Sequence, residues 1–383
     1  MKAVYIHIPY CVKKCIYCDF VSGPPDGPVL PFVRALEKEI ETGAADFQDG
    51  EPVTSVFFGG GTPTLLPAEY LAEILAAVRS AFPLAPDAEI TTECNPGTLS
   101  EKKAELLLDA GFNRISVGLQ SADDRLLKTI GRIHTRDTFL NAYAALRRAG
   151  FSNINVDVMH GLPGQTQENY LDTLRLVTEL SPGHISSYAL ILEEGTPLYA
   201  MVQAGQLTLP DEDAAADMQD AGMELLCRCG YERYEISNFA RQGYACRHNL
   251  TYWKNGPYLG FGPAAHSSYP KNGRWVRRYN TDNTKTYISL VTENKSPVYG
   301  QTVISEKEQR FETVMLGLRT TEGVSEADFS RRFGLTVREA FPSGAAFAAG
   351  NGLLRRDSPG FFALNARGLD LLNTVLVQFM DEN

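Results

Sequence analysis

The first half of the chain alternates β-branched runs with amphipathic stretches, and this alternation limits the fold more than any other feature. Six runs are predicted strands: AVYIHIP from Ala3, SVFFGGG from Ser55, AEITTECNP from Ala88, RISVGLQS from Arg114, NINVDVMHGLP from Asn153 and HISSYAL from His184. The stretches between them place apolar residues three and four positions apart, as amphipathic helices do. Repeated strand–helix–strand units predict a parallel sheet with right-handed crossovers.

The predicted strands are apolar on one face and polar on the other. In the third run, Ile90 and Cys94 share one face, whereas Glu89 and Glu93 share the other. A closed eight-stranded barrel fills its interior with branched apolar side chains. A polar interior therefore favours an incomplete, wide barrel with a cavity, and a doubly wound open sheet is the alternative.

We predict an α/β protein that combines a partial six-stranded (β/α)6 barrel with a smaller C-terminal helical, winged-helix-like domain. The C-terminal prediction follows from a helix, a second helix capped by Ser325, a hairpin around 357–360 and a last helix. The predicted boundaries are 1–230 for the barrel, 231–300 for an extension that carries HNLTYW, and 301–383 for the C-terminal domain.

Composition excludes several classes of function. The 383 residues carry 36 Lys and Arg against 46 Asp and Glu, a formal charge of −10, which disfavours nucleic acid as a partner. We find no apolar run near the ~20 residues of a membrane span and no signal peptide, so we expect a cytoplasmic protein without a transmembrane segment. Seven cysteines are then expected to be reduced thiols.

Three of those cysteines, Cys11, Cys15 and Cys18, form a C-x3-C-x2-C cluster. A structural zinc site takes four ligands, and His7 is a nearby candidate for the fourth. Thiolates also suit iron–sulfur clusters, and three cysteines would leave one iron of a cubane without a protein ligand. An iron with an open position is where chemistry can occur.

The cysteine loop, with aromatic Tyr17 just before Cys18, resembles the radical S-adenosylmethionine (SAM) superfamily. This resemblance implies that Cys11, Cys15 and Cys18 hold a 4Fe–4S cluster after the first strand of a partial barrel. SAM would then complete the coordination of the open iron. GGGTPT, from Gly59, resembles the glycine-rich motif with which the superfamily meets the SAM amino group.

The resemblance also implies which residues contact SAM. They are Tyr5, Tyr17, Gly60, Gly61, Thr62, Glu93, Gln120, Arg132 and Asp157. Alternatives stay open, because Glu93 and Asp157 could pair with a cation inside the barrel and Arg132 could lie on the surface. The sequence does not say whether one or two SAM molecules bind, or whether SAM is cleaved.

Further motifs, among them ECNPGT, GLPGQT, YEISNFA and HNLTYW, resemble a branch of the superfamily that comprises haem chaperones. Their near relatives are oxygen-independent coproporphyrinogen III oxidases, which have a fourth cysteine where Phe20 stands. HNLTYW resembles a motif associated with haem binding, so His248 is the expected haem ligand. Alternatively, His248 caps a turn and Trp253 is a core residue. Other candidates are Cys246 as a thiolate ligand and, more weakly, His7, His266 and Cys94.

Two functions follow from this resemblance. The first is a haem chaperone that binds a 4Fe–4S cluster, SAM and haem, and delivers haem to recipients such as respiratory membrane enzymes or bacterioferritin. Peripheral membrane contact through partners and a homodimer stay open. The alternative is an oxidase that decarboxylates coproporphyrinogen III, whose four carboxylates require several cations beyond Arg132. The sequence does not locate such a set, so we do not expect oxidase activity.

Overall fold

A computed structural model describes residues 1–47 and 50–380. It confirms the six predicted strands, β1–β6, at Ala3–Ile8, Val53–Gly60, Leu84–Cys94, Arg114–Gln120, Asn153–His160 and His184–Ala189. Helices α1–α6 lie at Leu30–Gly43, Ala68–Ala81, Glu101–Ala110, Asp124–Thr129, Arg136–Ala149 and Gln167–Leu180. β1–β6 pair in parallel and in chain order, as the alternation predicts.

The remaining elements extend the sheet and add a C-terminal unit. Strands β7–β14 are Glu232–Arg233, Asn238–Ala240, Tyr258–Phe261, His266–Lys271, Arg274–Asn280, Val298–Ile304, Val324–Ser325 and Phe361–Phe362. Helices α7–α16 are Pro197–Gln203, Glu212–Arg228, Arg247–Trp253, Thr284–Thr292, Glu306–Gly317, Glu326–Phe333, Val337–Ala340, Pro342–Gly350, Ala366–Asp370 and Leu372–Met380.

One sheet of 12 strands runs in the order β12-β11-β10-β9-β1-β2-β3-β4-β5-β6-β8-β7. The sheet contains a seventh parallel strand that the sequence did not predict, because β9 pairs with β1 in the same direction. β9 has only four residues, YLGF, which is too short for a period of two to be recognised. The antiparallel strands β10–β12 continue the sheet beyond it.

The register of the sheet places the predicted polar residues on one face. His7 pairs with Gly59 across β1 and β2, and Glu93 pairs with Ser116 across β3 and β4. On the opposite face, residues such as Ile6, Val56 and Ile115 are fully buried and belong to the main hydrophobic core with the helices. The polar face therefore forms the inner surface of the partial barrel.

The C-terminal unit has its own apolar core, in which Phe329, Phe362 and Phe379 are buried. Ser325 caps α12 as predicted, with its hydroxyl accepting the Asp328 N–H. The predicted hairpin forms: Leu354 pairs antiparallel with Leu364, and the Arg355 N–H donates to Ala363 O at 3.0 Å. Its second arm also pairs with β13 through β14. Helices α13 and α14 were not predicted. α13 has only 4 residues, and the sequence of α14, PSGAAFAAG, has no amphipathic pattern. The three domain boundaries stay a prediction.

Within the described ranges, none of the helices is both long and apolar enough to span a bilayer.

Candidate functional site

The three clustered cysteines lie on a loop that follows the carboxyl end of β1. The loop is closed at its base, where the Gly23 N–H donates to Pro9 O at 3.0 Å and the Cys11 N–H donates to Gly23 O at 2.9 Å. Its middle is held from both sides: the Ile16 N–H donates to Ile130 O at 3.3 Å, and Ile16 O accepts from the Leu198 N–H at 2.9 Å. The loop is thus anchored before any cofactor binds.

All three thiols of this loop are free and partly exposed. Two of them have donors aimed at sulfur: Thr62 Oγ1 lies 3.6 Å from Cys11 Sγ, and Arg132 Nη1 lies 3.7 Å from Cys15 Sγ. Hydrogen bonds to the cysteine sulfurs are also a feature of iron–sulfur sites in proteins. Among the described residues, no three His, Cys, Asp or Glu side chains converge on a single metal ion. In a 4Fe–4S cubane each thiolate would bind a different iron.

The glycine-rich end of β2 lies directly beside this loop. The Gly61 N–H donates to Ile8 O at 2.8 Å, and the Thr62 N–H donates to Tyr10 O at 2.7 Å. A Cβ at residue 61 would lie 2.6 Å from Tyr10 O, so only glycine allows this approach. Gly60 has φ +104° and donates its N–H to Glu93 Oε2 at 3.2 Å. The predicted SAM motif therefore borders the cysteine loop and Glu93.

Two buried carboxyl groups on the inner surface, those of Glu93 and Asp157, have raised pKa values. Burial, then the neighbouring Asp157, raises the pKa of Glu93 to about 8. Burial also raises the pKa of Asp157, although Asn155 Nδ2 donates to it at 2.7 Å and Ser116 Oγ donates at 3.2 Å. Perturbed carboxyls in one cavity mark a candidate binding site.

Arg132 and Gln120 lie at the carboxyl end of β4. Gln120 has φ +70° at an irregularity in the β4–β5 pairing, which turns the strand at its end. Arg132 Nη2 donates to Gly118 O at 2.6 Å, and its Nε is buried without a partner among the described residues. Since a buried guanidinium donor without a partner favours a ligand acceptor, Arg132 fits the SAM role better than a surface role.

The two tyrosines predicted to contact SAM have different neighbours. Tyr17 packs against a small apolar cluster formed by Leu126, Ile130, Met159 and Leu162, beside the cysteines. Tyr5 donates to or accepts from His7 Nδ1 at 3.1 Å and stacks on Phe57 at 6.3 Å between ring centroids. Burial raises the pKa of both phenols, so both are neutral hydrogen-bonding groups at physiological pH.

The HNLTYW motif lies in α9, which packs near the amino ends of β2 and β3. His248 is buried, and both ring nitrogens have partners: Ser55 Oγ at 3.1 Å from Nδ1 and Tyr252 Oη at 2.8 Å from Nε2. Burial, then Arg114, lowers the pKa of His248 to about 3. Haem ligation by His248 stays a prediction, and it would require at least one of these two hydrogen bonds to break.

Glu89 contacts the start of α9, and the sequence did not predict this role. Its carboxylate accepts the N–H groups of Arg247 and His248 at 3.1 and 3.2 Å and the Cys246 thiol at 3.4 Å. It therefore binds the N-terminus of α9 to β3. Alternation placed Glu89 on the inner face, but no local signal linked it to a helix 157–159 positions away. Cys246, a predicted alternative haem ligand, is fully buried in this contact.

Comparison with known proteins agrees with this geometry. The radical SAM superfamily matches residues 5–177, and the HemN C-terminal domain matches residues 304–371. The heme chaperone HemW of Bacillus subtilis is 37% identical over 385 aligned residues, which cover 100% of both chains. HemW of Escherichia coli K12 is 35% identical and covers 99% of this chain and 98% of its own.

The chain belongs to the HemW family. A solved structure of coproporphyrinogen III oxidase (HemN) from Escherichia coli superposes with a TM-score of 0.82, covering 99% of this chain and 89% of that one. At 23% identity this likeness supports the fold alone. Membership of the HemW family, within the radical SAM superfamily, implies a 4Fe–4S cluster and SAM as cofactors.

The described residues fit these two cofactors. The three free thiols on one loop suit the cluster, and the partnerless Nε of Arg132 and the protonated Glu93 carboxyl suit the polar ends of SAM. When bound, such a cluster would provide one-electron chemistry beside SAM. We propose Cys11, Cys15 and Cys18 as cluster ligands, and Gly60, Gly61, Thr62, Glu93, Gln120, Arg132 and Asp157, with Tyr5 and Tyr17, as the SAM site.

The raised pKa of Glu93 predicts a pH dependence of stability. Folding raises this pKa from 4.5 to about 8, so the folded state binds more protons between these values. Without added SAM, the free energy of unfolding should therefore fall as the pH rises through this window. The free energy of unfolding of Glu93→Gln should depend much less on pH than that of the wild type. Near the upper end of this pH window it should exceed the wild-type value by roughly 2–4 kcal/mol.

Urea denaturation at several pH values across the window measures this effect. Glu105→Gln, at an exposed position of α3, is the matched control and should keep the wild-type slope. If the free energy of unfolding of Glu93→Gln and of the wild type varied with pH in the same way, the raised pKa of Glu93 would be contradicted.

Proposed function

We propose that this protein is a haem chaperone that holds a 4Fe–4S cluster and SAM and carries haem to recipient proteins. The observation that carries the proposal is a cavity of about 350 Å³ beside the cysteine loop. We call it the aromatic cavity; its lining residues are Tyr5, His7, Asp19, Phe20, Val21, Tyr252, Tyr258, Ala264 and His266. Flat aromatic walls suit a planar, largely apolar porphyrin.

The same cavity argues against the oxidase as the alternative. Coproporphyrinogen III carries four carboxylates, which a specific site would pair with cations. None of the nine described lining residues is Lys or Arg. Phe20 also stands 64% exposed in the cavity wall, where the oxidases of the superfamily carry a fourth cysteine. The names of the full-length relatives, heme chaperone HemW, support the same choice.

Two assays on anaerobically reconstituted protein test this function. Added haem should bind with a shifted absorbance band. Coproporphyrinogen III incubated with SAM and reductant should give no vinyl product, because the cavity has no cations for its propionates. The Escherichia coli oxidase is the positive control for the second assay. Formation of protoporphyrinogen at a comparable rate would reject the chaperone in favour of the oxidase.

The proposal also covers the recipient proteins, the location in the cell and the oligomeric state. Recipients would be respiratory membrane enzymes or bacterioferritin, which this protein would reach in the cytoplasm or at the membrane surface through those partners. The exposed side of the cysteine loop offers a contact surface for a recipient or for a second copy of the chain. Size-exclusion chromatography of the reconstituted protein, with and without haem, measures whether a homodimer forms.

A further inference from the structure

The aromatic cavity contains two histidines that differ in the availability of their ring nitrogens. Both nitrogens of His7 are occupied: Nδ1 by the Tyr5 hydroxyl at 3.1 Å, and Nε2, which donates to Val21 O at 3.0 Å. His266 is exposed, and within the part of the chain that the structure describes neither of its ring nitrogens has a hydrogen-bond partner. His266 is therefore the histidine of this cavity that can bind a metal without breaking an existing bond.

A rigid turn places His266 at the start of β10. Buried Glu39 accepts the Gly262 N–H at 2.8 Å and the Tyr287 hydroxyl at 2.5 Å. Asn280 Nδ2 donates to Glu39 at 2.7 Å and to Gly262 O at 2.9 Å, which ties the turn to β11. This buried network keeps the backbone before His266 in one position, as a preorganised ligand requires.

The imidazole ring of His266 is oriented by stacking on Tyr279, with 5.4 Å between centroids and 22° between planes. Burial, then the charge of Arg277, lowers the pKa of His266. The ring is therefore neutral at physiological pH, which is the form that ligates iron.

The other walls of the cavity fit a porphyrin beside that ring. Phe20, Tyr252 and Tyr258 contribute aromatic surface from three separate segments: the cysteine loop, α9 and β9. The volume of about 350 Å³ lies within the ~300–1,000 Å³ of ligand pockets. Since Asp19 is the only carboxylate or cation in the described lining, the propionates of haem would point outward to solvent.

We propose that His266 is the axial ligand of haem iron, with the porphyrin in the aromatic cavity next to the cysteine loop. This inference rests on the proposed function, since it assumes that the protein binds haem. It places the cargo beside the cluster and SAM, and it assigns α9 to the wall of the cavity through Tyr252 while His248 stays in the interior.

The test titrates iron protoporphyrin IX and metal-free protoporphyrin IX into the full-length, cluster-loaded protein and follows the absorbance of each. His266→Phe keeps a flat ring on Tyr279 but cannot bind iron. We expect this variant to shift the haem band and to weaken haem binding about tenfold or more, as loss of a metal-site residue does. Metal-free porphyrin should bind with unchanged affinity, because it needs no axial ligand. His266→Ala should behave similarly, and added imidazole should restore its haem band.

The outcomes separate the two proposals. If the wild type binds neither porphyrin, the proposed function fails. If the wild type binds haem and His266→Phe leaves its band and affinity unchanged, the His266 inference fails while the chaperone stands. His248→Gln, checked for wild-type thermal unfolding, should keep the haem band. Loss of the band in that variant, with His266→Phe unaffected, would assign the iron to His248.

Discussion

Replacing Cys15 with serine is expected to abolish the iron–sulfur cluster. The wild-type chain, reconstituted without oxygen, should hold about four irons, and the variant should hold close to none. The physical reason is that Cys11, Cys15 and Cys18 supply the protein ligands of the cubane from a single loop, and loss of one thiolate leaves two. Cys11→Ser and Cys18→Ser should have the same effect. Iron and sulfide assays and the brown cluster absorbance measure it.

Matched controls are available in the same chain. Cys227 and Cys229 are free, exposed thiols at the end of α8, and their serine variants should keep the full iron content. Because backbone hydrogen bonds hold the base and the middle of the cysteine loop, Cys15→Ser should keep the wild-type circular dichroism spectrum. Full iron retention in Cys15→Ser, or zinc as the only metal in the wild type, would overturn the cluster assignment.

Replacing Glu89 with alanine is expected to lower the free energy of unfolding by about 3–5 kcal/mol. This buried carboxylate holds the two first N–H groups of α9 and lies near the buried cation Arg114. Alanine leaves those donors without an acceptor and removes one of the groups that interact favourably with the charge of Arg114. Glu89→Gln keeps an acceptor oxygen and should lose less. Urea denaturation measures both variants.

A second readout distinguishes loss of the α9 contact from general destabilisation. Cys246 is fully buried against Glu89, so Glu89→Ala should expose its thiol to a labelling reagent under native conditions. Exposed Glu105→Ala is the control and should change neither stability nor labelling. A Glu89→Ala variant that matches this control would show that the contact does not stabilise α9.

Much of the barrel could be predicted because the relevant signals are local. The period of two placed Glu93 and Asp157 on the inner surface, and both lie there. Glycine at positions 60 and 61 indicated a close backbone approach, and the structure shows it against His7 and Tyr10. By contrast, β9 escaped prediction because four residues show no period, and its assignment depends on pairing with β1.

The sequence by itself determined the six parallel strands, their polar inner face and the three-cysteine loop, because alternation and covalent spacing are properties of neighbouring residues. Only the tertiary structure decided which histidine of the aromatic cavity has available ring nitrogens. Ser55 and His248 share a hydrogen bond across 193 positions, whereas the ring of exposed His266 has no hydrogen-bond partner among the residues that the structure describes. Hydrogen bonds between distant segments form only when the chain is folded, so no local pattern records them.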